Sequence, residues 1–217
     1  MLHTFAALAI AAAVPTAAAN EPPHKTLIVQ LVHRIRPGTP NVPGRILAIM
    51  KNEAERIWLP LDVRIAWVDS TDANAMEHPA GLTVFIEEGE YPLPHASGDL
   101  VLGALTQPTA ICGWGLAHVW VRHVERHAAL ARRDGAGLPA AMAETFLGRA
   151  LGRALAHEIG HYLLGTREHS AHGLMRPRFT PQDLLEEATR PLYRLDATAR
   201  EGLLSCRTEQ ETESEDR

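Results

Sequence analysis

The sequence predicts an α+β domain: a mixed, twisted sheet of four or five strands with helices packed on it. Three observations predict it. Short runs rich in Val, Ile and Leu recur along the first half of the chain. Two longer stretches repeat apolar residues at helical spacing, each opened by a proline. An apolar content of 46% in 217 residues fills one hydrophobic core without demanding a second domain.

Taken in order, Lys25 to Ile35 reads as a first strand that ends before the Pro37, Pro40 and Pro43 loop. Pro43 and Gly44 open a helix. Its apolar residues Ile46, Leu47, Ile49, Met50, Ala54, Ile57 and Trp58 leave a polar face carrying Lys51, Glu53 and Glu55, and Pro60 stops it. Val63, Ile65, Trp67 and Val68 make a second strand, Leu82 to Ile86 a third, and Leu100 to Leu105 a fourth. Ala117 to Val124 reads as a fifth, with Trp114 between two glycines marking a turn or bulge before it. A second long helix runs from Pro139, suited to a first helical turn, to Gly165, suited to a left-handed C-terminal position. Pro181 and Asp183 open a further helical segment that Pro191 interrupts, and Leu195 to Cys206 resumes it.

Composition excludes several classes of function. A formal charge of -5 offers no basic surplus for a phosphate backbone, so a nucleic-acid partner is not expected. The apolar run Phe5 to Val14, followed by Ala17-Ala18-Ala19, reads as a signal peptide over residues 1–19, with residues 20–206 as the single folded domain and 207–217 as an acidic, disordered tail. A secreted or periplasmic location follows, without stable membrane insertion once the leader is cleaved. Cleavage would leave only a few residues before the first strand, too few for a latency pro-segment. Cys112 and Cys206 are the only cysteines; in an oxidising compartment they pair or stay free, and neither belongs to a C-x-x-C redox or zinc pair.

The chemistry concentrates on the second helix. His157-Glu158-Ile159-Gly160-His161 matches H-E-x-x-H, and helical i, i+4 spacing puts both imidazoles on one face. Leu147, Leu151, Leu155, Ile159 and Leu163 form an apolar row opposite, which turns the histidines towards a cleft. Gly148, Gly152, Ala156 and Gly160 form a row of small residues whose cost in helix propensity, about 1 kcal/mol per glycine, points to close packing against a neighbour. A catalytic zinc takes three protein ligands and keeps a fourth position open. His169 is the expected third ligand, because a left-handed Gly165 returns the chain across the metal; His172 is the alternative. Glu158, between the helical ligands, is the expected general base towards a zinc-bound water. The plainer alternative is a solvated histidine-rich face. His118, His123 and His127, running from the last strand into a loop, give no clean ligand set, and Tyr162, Trp114, Trp120 and Tyr193 read as packing residues.

The stretch His157 to Met175, HEIGHYLLGTREHSAHGLM, resembles the metzincin clan of zinc peptidases, which carry H-E-x-x-H-x-x-G-x-x-H followed by a methionine turn under the metal. The resemblance matches His157 and His161 to the helical ligands, Glu158 to the general base, Gly165 to the turn glycine, His169 to the third ligand and Met175 to the turn methionine. The spacing departs from the pattern: Gly165 follows His161 by four residues instead of three and His169 by eight instead of six. A resemblance to zincins with a glutamate third ligand would instead implicate Glu186 or Glu187. The clan implies a zincin-type fold, with the strand and helix order of its upper subdomain over roughly residues 25–175, Zn2+ as cofactor and peptides or proteins as substrates. The function expected is therefore a secreted zinc metalloendopeptidase, its extended substrate lying along the edge strand. An exported zinc-binding interaction module without turnover is the competing expectation, and hydrolysis of a non-peptide amide a third.

Overall fold

The first strand, β1 (Lys25–Arg34), places Leu27, Val29 and Leu31 on one face of the sheet, and all three are buried. A computed structural model describes residues 25–34, 41–70, 81–89, 102–108, 114–130, 140–185 and 191–203. Pro43 hands the chain to α1 (Gly44–Trp58), whose buried residues Ile46, Met50, Ala54, Ile57 and Trp58 recur at helical spacing. Pro60 sits in a single 3-10 turn that ends α1, and Asp62 takes a left-handed conformation before β2 (Val63–Ser70). Then follow β3 (Leu82–Glu87), β4 (Gly103–Pro108), β5 (Gly115–Trp120), α2 (Val121–Ala129) and α3 (Ala140–Leu164). A 3-10 turn at Asp183–Leu185, another at Pro191–Tyr193 and a short helix over residues 197–203, capped by Asp196, complete the described chain.

The five strands form one sheet in the order β2-β1-β3-β5-β4. β2, β1, β3 and β5 run parallel, and β4 runs antiparallel to β5 at the edge. α1 and α3 pack on the face lined by Leu27, Val29, Leu31, Leu82, Val84, Ile86, Ala117 and Val119, and these side chains share one core with Leu151, Leu155, Ile159 and Leu163 of α3. The small row of α3 lies against α1. A Cβ at Gly152 would stand 2.6 Å from the Met50 carbonyl oxygen and 2.6 Å from the Glu53 Cβ, so the two backbones meet at a distance that a larger residue forbids. Among the described residues no helix is long and apolar enough to cross a membrane.

Several expectations change. The last strand stops at Trp120, and the chain turns at once into α2, so His123 and His127 lie on a helix rather than on a strand and loop. Val121 and Val124 are buried and spaced i, i+3, which lines one face of a helix; in the sequence they extend the apolar run of the strand before them. β4 begins at Gly103, later than expected, and the sheet irregularity lies on β4 between Leu105 and Gln107, while Trp114 simply precedes β5. The segment opened by Pro181 and Asp183 is a single 3-10 turn in its described part, and the last helix starts after Leu195. Glu53 is not on a solvated face: it is 3% exposed and paired with Arg153. The leader, the acidic tail, Cys112, Cys206, Glu186 and Glu187 lie outside the described residues.

Candidate metal centre and active site

α3 carries His157, Glu158 and His161 in its last two turns, and all three are buried. Gly165 follows with φ 60°, the left-handed stop that its position suggests. The chain then reverses: the Thr166 amide donates to the His161 carbonyl at 3.3 Å, and the Glu168 amide donates to the Thr166 hydroxyl at 3.0 Å. This return brings His169 onto the pair. Ring centroids lie 5.3 Å apart for His157 and His169, 4.8 Å for His161 and His169, and 4.6 Å for His157 and His161. One ring nitrogen from each of the three histidines lies within 4.8 Å of the other two. His172 stands outside this cluster and is exposed.

The tautomers of the two helical histidines are set by backbone acceptors. The His157 Nδ1–H donates to the Leu174 carbonyl at 2.8 Å, and the His161 Nδ1–H donates to the Thr166 carbonyl at 2.9 Å. A carbonyl only accepts, so both Nε2 atoms are left as lone-pair acceptors. Those two atoms face each other at 3.0 Å. Neither has a hydrogen to give, and protonation is no remedy: burial, reinforced by His161, pushes the His157 imidazole down to about 3, and burial pushes His161 down to about 4. Burial lowers His169 as well. Opposed lone pairs between buried imidazoles are relieved by a shared cation, and nitrogens bound tetrahedrally at zinc distances stand about 3.3 Å apart. Three neutral imidazoles, two with their Nδ1 tied to carbonyls, therefore fit Zn2+ with one side of the ion left open.

Glu158 is seated under the edge strand. A Cβ at Gly103 would stand 2.7 Å from the Glu158 Oε1, so glycine there admits the carboxylate beneath β4. The Leu105 backbone N–H supplies a hydrogen bond, while Oε2 is buried without a partner. Burial, opposed only by that one bond, pushes the carboxyl up to about 8. A carboxyl with one free oxygen and an affinity for protons near neutrality is chemically a base or acid awaiting a partner.

The surroundings explain how the pair is held. Met175 is 2% exposed, and its Sδ packs directly against Gly160, between the two helical histidines, so it is both core residue and floor of this turn. Phe179 meets the His157 ring edge-on at 5.8 Å and stacks on Tyr193 at 6.0 Å. Trp58 of α1 donates its indole N–H to the Ala156 carbonyl at 3.2 Å, fixing α3 one residue before His157.

Metalloproteinase-II from Bacteroides fragilis superposes with a TM-score of 0.50 at 15% sequence identity, over 84% of this chain and 53% of that one. The two share a fold. This chain spans about half the length of that metalloproteinase. A zinc-dependent peptidase from Methanocorpusculum labreanum (strain Z) aligns at 15% identity and a TM-score of 0.46, over 81% of this chain and 99% of that one. By sequence, no family model and no curated protein matches.

Sequence reasoning missed the buried ion pair that braces the site. The Arg153 Nε donates to the Glu53 Oε1 at 2.8 Å and its Nη2 lies 2.7 Å from the same oxygen. Arg153 also donates to the Asp183 carbonyl at 3.1 Å and lies over the Tyr193 ring at 4.8 Å, so one guanidinium joins α1, α3 and the segment beyond the histidine cluster. The signal was present. An arginine set among Leu151, Gly152, Ala154 and Leu155, one turn before His157, has no solvated face to occupy. Tyr162, Trp120 and Tyr193 are buried, as packing residues should be.

Proposed function

We propose that the chain is an exported zinc metallopeptidase in which His157, His161 and His169 hold Zn2+ and Glu158 is the general base. The observation that carries this reading is the pair of buried Nε2 lone pairs opposed at 3.0 Å, with a third imidazole beside them. When bound, the ion would supply Lewis acidity, polarising a scissile carbonyl and making water more acidic. The chain's own groups do the rest. The Leu174 and Thr166 carbonyls hold the two Nδ1 hydrogens and so keep both Nε2 atoms available. Glu158 takes the proton of the attacking water on its unpartnered Oε2 and returns it to the leaving amine nitrogen. An extended peptide lies along β4, the edge strand against which Glu158 is seated, and pairs with its outward backbone groups. Cleavage within the chain of the substrate, as an endopeptidase, fits an edge strand that no other described strand covers. Export rests on the apolar run Phe5 to Val14 and the small residues Ala17 to Ala19.

Zinc content per chain and cleavage of a mixed peptide library, measured on native protein, His169→Ala and His172→Ala, test the reading. One zinc per native chain with cleavage, both lost in His169→Ala and kept in His172→Ala, is the expected result. Stoichiometric zinc without any cleavage would favour the interaction module, and a zinc-free native chain would end the metal assignment. N-terminal sequencing of protein recovered outside the cytoplasm should begin near Asn20.

A further inference from the structure

β4 does not present a uniform edge. Its pairing with β5 runs from Gly103 opposite Val119 to Leu105 opposite Ala117, then resumes at Gln107 opposite Leu116. Thr106 is the extra residue, without a backbone partner in the ladder, and its hydroxyl donates instead to the Leu116 carbonyl at 3.1 Å. The Thr106 carbonyl is turned out, and Arg167 takes it: the Arg167 Nη2 donates to this oxygen at 3.2 Å. Arg167 belongs to the reversal between His161 and His169. Thr166, just before it, is fixed at both its amide and its carbonyl by His161, so the direction of the arginine is set by the same turn that delivers His169.

A guanidinium has five N–H donors, and this one spends a single donor on Thr106. Its side chain is exposed, and among the described residues it has no carboxylate partner. Two other arginines of this half of the chain are already spent, Arg153 on Glu53 and Arg176 on Asp183. A pinned, planar guanidinium at the rim of an edge strand, with N–H donors to spare, is a ready docking site for a carboxylate, in a geometry that lysine does not reproduce.

We propose that Arg167 is a specificity-determining residue that reads a carboxylate on the bound peptide, at the point where the β4 edge is interrupted by Thr106. This rests on the reading of β4 as the peptide-binding edge. Backbone pairing with the peptide is confined to the Gly103 to Leu105 side of the bulge, because the Thr106 carbonyl is already occupied by Arg167; on that side Glu158 holds the Leu105 N–H, and the remaining outward groups serve the peptide. The residue of the peptide that reaches past the bulge meets the guanidinium. The carboxylate comes either from an acidic side chain or from the peptide's C-terminus.

Matched peptides test this. Each sequence is made with Glu or with Gln at one position, and each of these with a free or an amidated C-terminus. kcat/KM is measured with the zinc-loaded native chain, Arg167→Lys and Arg167→Gln; affinities for the same peptides are measured by calorimetry on zinc-loaded Glu158→Gln with Arg167 kept or changed to Gln. With Arg167 present, one position or the free C-terminus is expected to be preferred over its neutral counterpart by about fivefold, the preference weakening in high salt. In Arg167→Gln the ratio should fall to near one, with Arg167→Lys between. The Glu and Gln pairs identify a side-chain carboxylate, and the acid and amide pairs a terminal one. Equal affinity for charged and neutral peptides, a preference that survives Arg167→Gln, or no peptide binding at all would overturn the assignment. Discrimination in binding without any hydrolysis would leave the role of Arg167 standing and sink the peptidase reading alone.

Discussion

Glu158→Gln should remove hydrolysis and at the same time stabilise the metal-free protein. In the metal-free fold the carboxyl is pushed by burial to about 8, against an ordinary value of 4.5. A group whose affinity for protons is raised by folding contributes no penalty below pH 4.5, where folded and unfolded chains both hold the proton. The penalty grows as pH rises from 4.5 and is complete above about 8. At pH 7 it amounts to about 3 kcal/mol. Glutamine is close in shape to the protonated acid that the fold prefers: its carbonyl oxygen can keep the Leu105 N–H, and its amide, like the acid O–H, occupies the place of the unpartnered Oε2. The substitution therefore removes the ionisation penalty with little else changed. For a chain of this length about 3 kcal/mol corresponds to a rise in Tm of roughly 6–12 °C. Differential scanning calorimetry with a chelator present, at pH 5, 7 and 8, should show the gain in Tm increasing with pH. With zinc bound the gain should shrink, since a nearby dication favours the ionised carboxylate that the native residue supplies. Hydrolysis should fall by about 10²–10⁴-fold in the same variant. A metal-free Glu158→Gln protein no more stable than native at pH 7, or a gain that does not change between pH 5 and 8, would refute this account of the buried carboxyl.

Three further outcomes follow from other parts of the site. The metal-free Glu158→Gln chain, in which acidification no longer relieves the opposing Glu158 penalty, should lose stability between about pH 6.5 and 4, because the unfolded chain protonates imidazoles that burial keeps neutral in the fold; urea unfolding free energies that stay level across this window in that variant would contradict the histidine environment. Gly152→Ala should destabilise by about 1–2 kcal/mol, since the gain of about 1 kcal/mol in helix propensity is outweighed by a Cβ forced to 2.6 Å from the Met50 carbonyl oxygen; an unchanged or raised denaturation midpoint would mean that α1 and α3 part readily. Arg153→Met should cost about 3–5 kcal/mol by stranding the Glu53 carboxylate in the core, whereas Arg153→Met with Glu53→Leu should recover most of that loss; equal losses in the single and double variants would show that the pair itself, rather than the stranded charge, carries the stability.

Much of the site could be read from local spacing. The i, i+4 separation of His157 and His161, the apolar row ending at Leu163 and the left-handed stop at Gly165 are properties of one helix and its end, and periodicity alone defines them. The row containing Gly148 and Gly152 likewise announced a close neighbour, although only the fold shows that the neighbour is α1. The boundary between β5 and α2 was hidden, because Val119, Trp120, Val121 and Val124 continue one apolar run, which reads as a buried strand until the packing around it is known. Glu53 was misplaced for a related reason: a charge at a helix position looks solvated until its partner, Arg153, is known to lie against it from a hundred residues along the chain.

By itself, then, the sequence determined the α+β class, the helix with its paired imidazoles and the place where that helix ends, since each of these depends on residues within a turn or two of one another. Tertiary structure decided that His169 and not His172 stands with the pair, that Gly103 and Leu105 receive Glu158, and that Arg167 lies on the interrupted edge of β4. The last two relations join segments distant along the chain, which only the packing of α3 against the sheet brings within reach, whereas the first is decided by how the turn after Gly165 folds back over α3.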